Sequence, residues 1–241
     1  MRPILFYLNG MPIPSYDVFV TLGFLTGMMV FFYQYRQKED SYGHFMNLFV
    51  AALIGGAIGA KLPIWIFNYK EILGHSLSIV TLLSGKTVLG GIVGGWIAVE
   101  IEKHRLGIKR KTGDIFAPAL ALGEAVGRMG CFLNGCCGGI PSTLPWAMDF
   151  GDGILRHPTQ LYMSAFAMLL FIFLWSIKGK MKREGDLFRT YLIIYFTFRF
   201  FIEFIRTNQV FAFGLTGFQL VSALVVLYAL LLWNRLPLFN K

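Results

Sequence analysis

Long apolar runs separated by short polar segments make up most of this chain. A helix that crosses the hydrocarbon layer of a membrane needs about 20 mostly apolar residues, and the runs suggest about seven such helices, the third of them short and rich in glycine. The windows are Tyr16–Gln34, Phe45–Phe67, Val88–Ile101, Ile115–Leu133, Thr159–Ile177, Leu187–Ile205 and Thr216–Trp233. The pattern predicts an all-α integral membrane protein in which residues 1–241 form a single transmembrane domain.

Lysine and arginine cluster after the first, third, fifth and seventh of these windows. The clusters are Arg36 and Lys38, Lys103–Lys111, Lys178–Arg183, and Arg235 with Lys241. Basic residues in short loops are retained on the cytoplasmic side of the membrane. We therefore expect the N-terminus outside, the C-terminus in the cytoplasm, and the loops after the even-numbered windows on the outer face.

Composition narrows the class of protein further. Hydrophobic residues make up 56% of the chain and charged residues 15%, which argues against a soluble monomer. The net charge of +9 lies in short clusters between apolar runs rather than along a helix face, so no nucleic-acid partner is expected. The three cysteines form a C-x4-C-C spacing, which is a weak metal pattern, and we predict neither a metal site nor a cofactor.

Ionisable residues inside the apolar windows mark the candidate site, because each costs several kcal/mol in hydrocarbon. Glu124 and Arg128 are four residues apart, as are Arg199 and Glu203, and Arg206 follows three residues later. This spacing places each set on one helix face. Two interpretations stay open at this stage: internal ion pairs that neutralise themselves, or unneutralised arginine that binds an anionic ligand such as a phosphate.

Two polar stretches lie next to these residues. Five glycines between Gly127 and Gly139 predict a loop that re-enters near the outer surface, where Arg128, Asn134 and backbone amides would converge on one oxyanion. The stretch from Arg156 to Tyr162 opens the fifth window, with Pro158 near a helix start and with Gln160 and Tyr162 as hydrogen-bond donors. His157 is either a base or a structural residue.

The thiols and the glycine-rich segments each allow two interpretations. Cys136 or Cys137 would become a nucleophile if a cation such as Arg128 lowered its pKa; alternatively the thiols are inert. Gly55–Ala60 and Gly90–Gly95 favour either close helix packing or the approach of a lipid head group to the backbone.

At these residues the sequence resembles the prolipoprotein diacylglyceryl transferase family. The resemblance covers Gly127–Gly139, Arg156–Tyr162 and Phe198–Arg206, in the order found in the family and spread along most of the chain. It implies an enzyme of the bacterial inner membrane that moves the diacylglyceryl group of phosphatidylglycerol to the lipobox cysteine of a preprolipoprotein, with release of glycerol phosphate.

Site residues follow from the resemblance, position by position. Arg128 resembles the essential arginine of the family signature, and Arg199, Glu203 and Arg206 match its late charged motif. Together with the residues discussed above, the predicted catalytic residues are Arg128, Arg199, Glu203, Cys136 and Cys137, and the predicted substrate-binding residues are Tyr16, Lys61, Asn134, Gly139, His157, Gln160, Tyr162 and Arg206.

The chain departs from the family pattern at several positions near the expected chemistry. Leu89 replaces a histidine proposed as a base, Cys131 replaces an asparagine, and Met163 stands where glutamate is usual. Cys136 likewise occupies the place of an acidic residue. These departures favour binding of a phosphatidylglycerol-like lipid over use of the standard acceptor, so transfer to another acceptor and a non-enzymatic lipid-binding or transport protein stay open as alternatives.

Overall fold

Helices account for most of the structure. The computed structural model describes residues 1–36, 42–67, 87–181 and 183–232. Its α-helices are α1 (Ser15–Arg36), α2 (Tyr42–Phe67), α3 (Val88–Arg105), α4 (Phe116–Leu133), α5 (Thr159–Ile177), α6 (Asp186–Ile202) and α7 (Gly217–Leu227). Each apolar window of the sequence overlaps one of them, so the prediction of a mostly helical membrane protein is confirmed.

Within the part of the chain that the structure describes, four helical segments are long and apolar enough to cross a membrane. They are Ser15–Arg36, Met46–Pro63, Gly113–Leu133 and Thr159–Lys180, and Gly217–Leu231 is a shorter apolar helix. These segments support a multi-pass membrane protein. The number of spans and their orientation stay predictions.

Among the described residues, three short antiparallel hairpins interrupt the helical pattern. They pair β1 (Ile4–Leu8) with β2 (Met11–Pro14), β3 (Met148–Asp149) with β4 (Leu155–Arg156), and β5 (Val210–Ala212) with β6 (Leu215–Thr216). Asn9 and Gly10 have positive φ angles of 49° and 80° between β1 and β2, which suits a two-residue hairpin turn. The sequence analysis did not predict these hairpins.

The described helices fall into two compact units. The first contains α1, α4, α5, α6 and most of α7, and the second contains α2, α3 and the β5–β6 hairpin. The prediction of a single domain stays a prediction. Every candidate site residue except Lys61 belongs to the first unit.

Small residues bring α1 against α4 in the first unit. A Cβ atom added to Gly23 would lie 2.5 Å from the carbonyl oxygen of Gly123, and one added to Gly130 would lie 2.7 Å from the Cβ atom of Phe19. Only glycine permits contacts this short. The N-terminal end of α1, which carries Tyr16, is thereby held against the end of α4 that carries Cys131.

The same kind of contact joins α2 and α3 in the second unit. A Cβ atom on Gly59 would lie 2.4 Å from the carbonyl oxygen of Gly90, and one on Gly94 would lie 2.5 Å from that of Gly55. The glycine-rich segments therefore pack two helices closely, which is the first of the two interpretations that the sequence allowed.

A single side chain connects the beginnings of α4 and α6. Asp114, in the 3-10 turn that precedes α4, accepts hydrogen bonds from the backbone N–H groups of Gly185 (2.7 Å) and Phe188 (3.0 Å). Gly185 precedes α6 directly and has a φ angle of 86°. Because the first N–H groups of a helix lack partners within it, the carboxylate of Asp114 stabilises the start of α6.

The glycine-rich stretch is helical in its first half. Residues 127–133 continue α4, and the chain leaves the helix only at Asn134. The expectation that the whole stretch forms a loop is wrong for this half, because the contact of Gly130 with α1 compensates the weak helical preference of glycine. The loop itself begins with Gly135, whose φ angle is 74°.

Candidate active site

Arg128 and Glu124 form a buried ion pair on α4. The Nε and Nη2 atoms of Arg128 donate to the same carboxylate oxygen, Oε1 of Glu124, at 3.1 and 3.0 Å. The side chains are 10% and 3% exposed, respectively. The internal ion pair that the spacing allowed is therefore present. Oε2 of Glu124 is buried and has no hydrogen-bond partner among the described residues.

A second charged group lies just beyond α6. Glu203, in the 3-10 turn Glu203–Ile205, accepts a hydrogen bond from Nη1 of Arg199 through its Oε2 atom. The Nε atom of Arg206 lies 3.5 Å from the same oxygen, which is ion-pair contact without a hydrogen bond. The second oxygen, Oε1, accepts a hydrogen bond from the side-chain amide of Asn208 at 2.5 Å.

Arg206 has side-chain N–H groups that make no hydrogen bond to the described residues. Its side chain is 12% exposed, and its Nε and Nη1 atoms are buried without a hydrogen-bond acceptor among the described residues. Burial lowers the pKa of Arg206, and the positive charges of Arg199 and Arg128 lower it further. Three arginines thus lie near two glutamates, and the N–H groups of Arg206 that have no acceptor among the described residues would stabilise an anion.

The cysteine-containing loop is fastened to the first turn of α5. Gln160, which is fully buried, donates its side-chain amide to the carbonyl oxygen of Cys136 at 2.5 Å. Thr159 donates its hydroxyl to the carbonyl oxygen of Cys137 at 2.7 Å. The backbone at Cys137 has a φ angle of 66°, which is uncommon for a residue other than glycine. Two side chains of α5 therefore hold a strained turn in place.

The thiols of Cys131, on α4, and of Cys136 and Cys137, in the loop, are free and close to the arginines. Cys131 and Cys136 are half-buried, and Cys137 is exposed. Hydrogen bonds from the thiols of Cys131 and Cys136 lower the pKa of Cys137, and the positive charges of Arg206 and Arg128 lower it further. Cys137 is therefore the cysteine that the structure best prepares to carry a thiolate.

Gly139 lies where three chain segments meet. Its N–H donates to the carbonyl oxygen of His157 at 2.9 Å, and it forms an isolated antiparallel bridge with Arg206. An added Cβ atom would lie 2.4 Å from the carbonyl oxygen of Ile205. Glycine at this position lets the loop pass beside the arginine that has unsatisfied donors.

Tyr162 connects His157 to a tryptophan that the sequence analysis did not single out. The Nε1 atom of Trp146 donates to the hydroxyl of Tyr162 at 2.7 Å, and Nδ1 of His157 lies 3.3 Å from that hydroxyl. The indole ring is 55% exposed. These contacts favour a structural role for His157, since one ring nitrogen is already engaged.

Tyr16 and Asn134 complete the group. Tyr16, in the first turn of α1, interacts electrostatically with the three cysteines and with Arg128. Asn134 caps the end of α4, is exposed, and lies beside Cys136. The structure therefore brings together Tyr16, Arg128, Asn134, Cys136, Cys137, Gly139, His157, Gln160, Tyr162, Arg199, Glu203 and Arg206 in one unit.

Comparison with known proteins places this arrangement in a family. The family model described as "Prolipoprotein diacylglyceryl transferase" matches residues 3–235. The chain belongs to this family. A protein of Clostridium tetani (strain Massachusetts / E88) named phosphatidylglycerol–prolipoprotein diacylglyceryl transferase is 34% identical over 213 residues, with 86% of each chain covered.

Other relatives carry the same name. A protein of Clostridium botulinum (strain Hall) is 32% identical over 241 residues, with 95% of each chain covered. A protein of Finegoldia magna is 33% identical over 237 residues, covering 96% of this chain and 94% of the relative. The resemblance that the sequence motifs suggested is confirmed, and it extends along almost the whole chain.

Two positions that the resemblance singled out in this diacylglyceryl transferase family member, Lys61 and Leu89, belong to the second unit. Lys61 is half-buried on α2, in the second unit. Leu89, which stands where the family has a histidine, is buried on α3 in that unit. Among the described residues, no group of three His, Cys, Asp or Glu side chains is arranged to hold a metal ion.

Three side chains at or near the candidate site were not expected from the sequence. Asn208 contacts Glu203, and Tyr195 lies close to Glu124 and Arg128 with its buried hydroxyl lacking a partner among the described residues. Trp146 donates its indole N–H to Tyr162. The spacing of Tyr195 four residues before Arg199 was the available signal for one of them.

Proposed function

We propose that this protein transfers the diacylglyceryl group of phosphatidylglycerol to the lipobox cysteine thiol of a preprolipoprotein. Membership of the family and the names of its relatives support this function. The observation on which the proposal chiefly depends is Arg206, whose buried Nε and Nη1 groups have no acceptor among the described residues while Arg128 and Arg199 lie near it. A lipid phosphate would satisfy those donors and balance the positive charge.

The reaction requires one bond to form and one to break at the same carbon. The acceptor thiolate attacks the glyceryl carbon that bears the phosphate ester, a C–S bond forms, and the C–O bond electrons pass to the phosphate oxygen. Glycerol phosphate leaves with the additional negative charge, and the thiol proton is lost before or during the attack. Arginine side chains that hold the phosphate would stabilise the leaving group as its charge grows.

We assign the predicted residues to this reaction by their position. Arg128, Arg199 and Arg206 face the phosphate, and Glu203 orients Arg199 and Arg206. Gln160 and Gly139 shape the loop beside Arg206, while Tyr16 and Asn134 lie where they would contact the head group. His157 and Tyr162 hold the N-terminal end of α5. Lys61 stays a lipid-binding candidate on α2.

Cys136 and Cys137 are best assigned to the acceptor side of the site. A thioether formed on either thiol would be a poor intermediate, because a thiolate is a weak leaving group from an unactivated carbon. Direct displacement by the acceptor thiol therefore fits better than transfer through the enzyme's own cysteine. The two residues would then shape the electrostatics where the acceptor thiolate approaches the lipid.

We further propose seven spans in the bacterial inner membrane, with the N-terminus outside and the C-terminus in the cytoplasm. The shorter or more polar helices α3, α6 and α7 would supply the three spans beyond the four long apolar segments. The distribution of basic clusters along the sequence supports the orientation. Arg128 and Arg199 then lie toward the outer ends of their helices, on the side where preprolipoproteins emerge.

A transfer assay tests the function directly. The full-length protein in detergent micelles is incubated with labelled phosphatidylglycerol and a lipobox peptide, and mass spectrometry detects the thioether product. We expect product with the wild-type protein and its loss with Arg206→Ala. Arg105→Ala is the matched control, because Arg105 is 72% exposed and pairs with Glu102 in the last turn of α3. Lipid binding without turnover would instead support a lipid-binding or transport protein.

A further inference from the structure

Asn208 and Arg206 approach the same acid from two directions. Oε1 of Glu203 accepts the hydrogen bond from Asn208, while Oε2 lies 3.5 Å from Nε of Arg206 and accepts a hydrogen bond from Arg199. Glu203 is 2% exposed, so water has little access to its carboxylate. The neighbours of this acid are therefore set by protein side chains.

The position of Asn208 affects what Arg206 is able to do. A guanidinium group pairs most strongly with a carboxylate when two of its N–H groups meet both oxygens. Asn208 already uses one of those oxygens, and Arg206 makes only a long contact with the other. Its Nε and Nη1 atoms consequently stay without a hydrogen-bond acceptor among the described residues, although both are buried.

We propose that Asn208 is a positioning residue that keeps Arg206 available for the phosphate of the lipid substrate. By holding Oε1 of Glu203, it prevents a two-pronged Arg206–Glu203 pair that would consume the donors of the arginine. This inference rests on the proposed function, since it names the residue that makes the proposed phosphate site competent. Asn208 itself does not need to touch the lipid.

Removing the amide should weaken lipid binding and leave the chemical step almost unchanged. In Asn208→Ala, Oε1 becomes accessible to Arg206, and the arginine must break its new pair before it binds phosphate. We expect the KM for phosphatidylglycerol to rise about tenfold, the order of one charge-assisted hydrogen bond, with kcat within about twofold of wild type. Asn208→Ser keeps a donor for Glu203 and should recover part of the affinity.

The experiment compares four full-length proteins in micelles containing a fixed fraction of phosphatidylglycerol. They are the wild type, Asn208→Ala, Asn208→Ser and Thr207→Ala, a neighbouring exposed position that serves as the control. Steady-state kinetics gives KM and kcat, equilibrium binding of labelled phosphatidylglycerol gives Kd, and thermal unfolding verifies the fold. Thr207→Ala should match the wild type in all of these measurements.

A double-mutant cycle separates positioning from general support of the fold. When Glu203 is replaced by glutamine, no ion pair with Arg206 is possible, so adding Asn208→Ala should raise Kd by less than twofold. An unchanged KM and Kd in the single variant overturns the inference, as does the same tenfold loss in the Glu203→Gln background. Absence of turnover in the wild type would refute the proposed function, whereas the Kd comparison would still judge the inference.

Discussion

The side-chain amide of Gln160 donates a hydrogen bond to the carbonyl oxygen of Cys136, and this contact is fully enclosed by protein on the glutamine side. It attaches the cysteine-containing loop to the first turn of α5. Because the same loop passes Arg206 at Gly139, its placement affects both the thiols and the arginine.

Replacing Gln160 with alanine should reduce activity more than its effect on stability would explain. The carbonyl of Cys136 loses its donor, which costs about 1 kcal/mol, and the loop loses its fixed position. Ser164→Ala is the matched control, since its hydroxyl makes a comparable bond to the carbonyl of Ala125 at 2.7 Å on the same helix. Transfer assays and thermal unfolding in detergent should show similar stability losses and at least a tenfold difference in activity. Equal activities would contradict this role for Gln160.

Arg128 should be needed for both stability and activity, and the two effects are separable. Arg128→Met leaves the carboxylate of Glu124 buried without its cation, which we expect to cost about 3–5 kcal/mol. Arg128→Met combined with Glu124→Leu removes both charges, so thermal stability should recover while transfer stays absent. If the double variant regained transfer activity, Arg128 would not be a catalytic residue.

The reactivity of Cys137 should persist at a lower pH than that of an ordinary thiol. The fold favours its thiolate, so its pKa is lower in the folded than in the unfolded protein, and the thiolate is lost only as the pH falls through that lower value. Alkylation by iodoacetamide, located by peptide fragmentation, should still proceed at about pH 6, well below the usual cysteine pKa of about 8.5.

The cause of this shift is testable with the neighbouring thiols. Removing the hydrogen bonds in Cys131→Ala/Cys136→Ala should move the labelling profile of Cys137 to higher pH, and Arg206→Ala should do the same to a smaller extent. Wild-type profiles in both variants would show that these neighbours do not control Cys137. Adding phosphatidylglycerol should move the labelling profile of Cys137 in the wild type to higher pH, because a bound phosphate offsets the charge of Arg206.

The contact between α2 and α3 should make neighbouring glycines differ in their tolerance of alanine. A Cβ atom on Gly59 would meet the backbone of α3 at 2.4 Å, whereas one on Gly56 would lie 3.5 Å from the carbonyl oxygen of Gly91. Gly59→Ala should therefore destabilise the protein by about 1–3 kcal/mol, and Gly56→Ala should be close to neutral. Thermal unfolding of the two variants in the same detergent checks the order, which the reverse result would contradict.

The helices could be predicted from the sequence because length and apolar character are local properties. Each window overlaps an observed helix, and Pro158 lies immediately before α5 as expected. The hairpins could not be predicted from the sequence, because strands of two to five residues carry too few positions to show a period. Gly130 was assigned to a loop because its helical conformation depends on Phe19, a residue far away in the sequence.

The candidate site was partly readable for the same reason. Residues three or four apart on a helix are neighbours, so the contacts of Arg128 with Glu124 and of Arg199 with Glu203 follow from spacing. The bond between Trp146 and Tyr162 and the bond between Gln160 and Cys136 join separate segments, and nothing in their local pattern indicates them.

Asp114 joins the starts of the two helices that carry Arg128 and Arg199. It precedes α4 directly in the chain, and it holds the first turn of α6 through the N–H groups of Gly185 and Phe188. At 1.5 Å per residue, both arginines lie roughly 20 Å beyond this junction. The carboxylate thus fixes one common starting point for both helices, and the number of residues from that point sets the position and direction of each arginine. Inserting one residue into either helix would turn its arginine away from the other by about 100°.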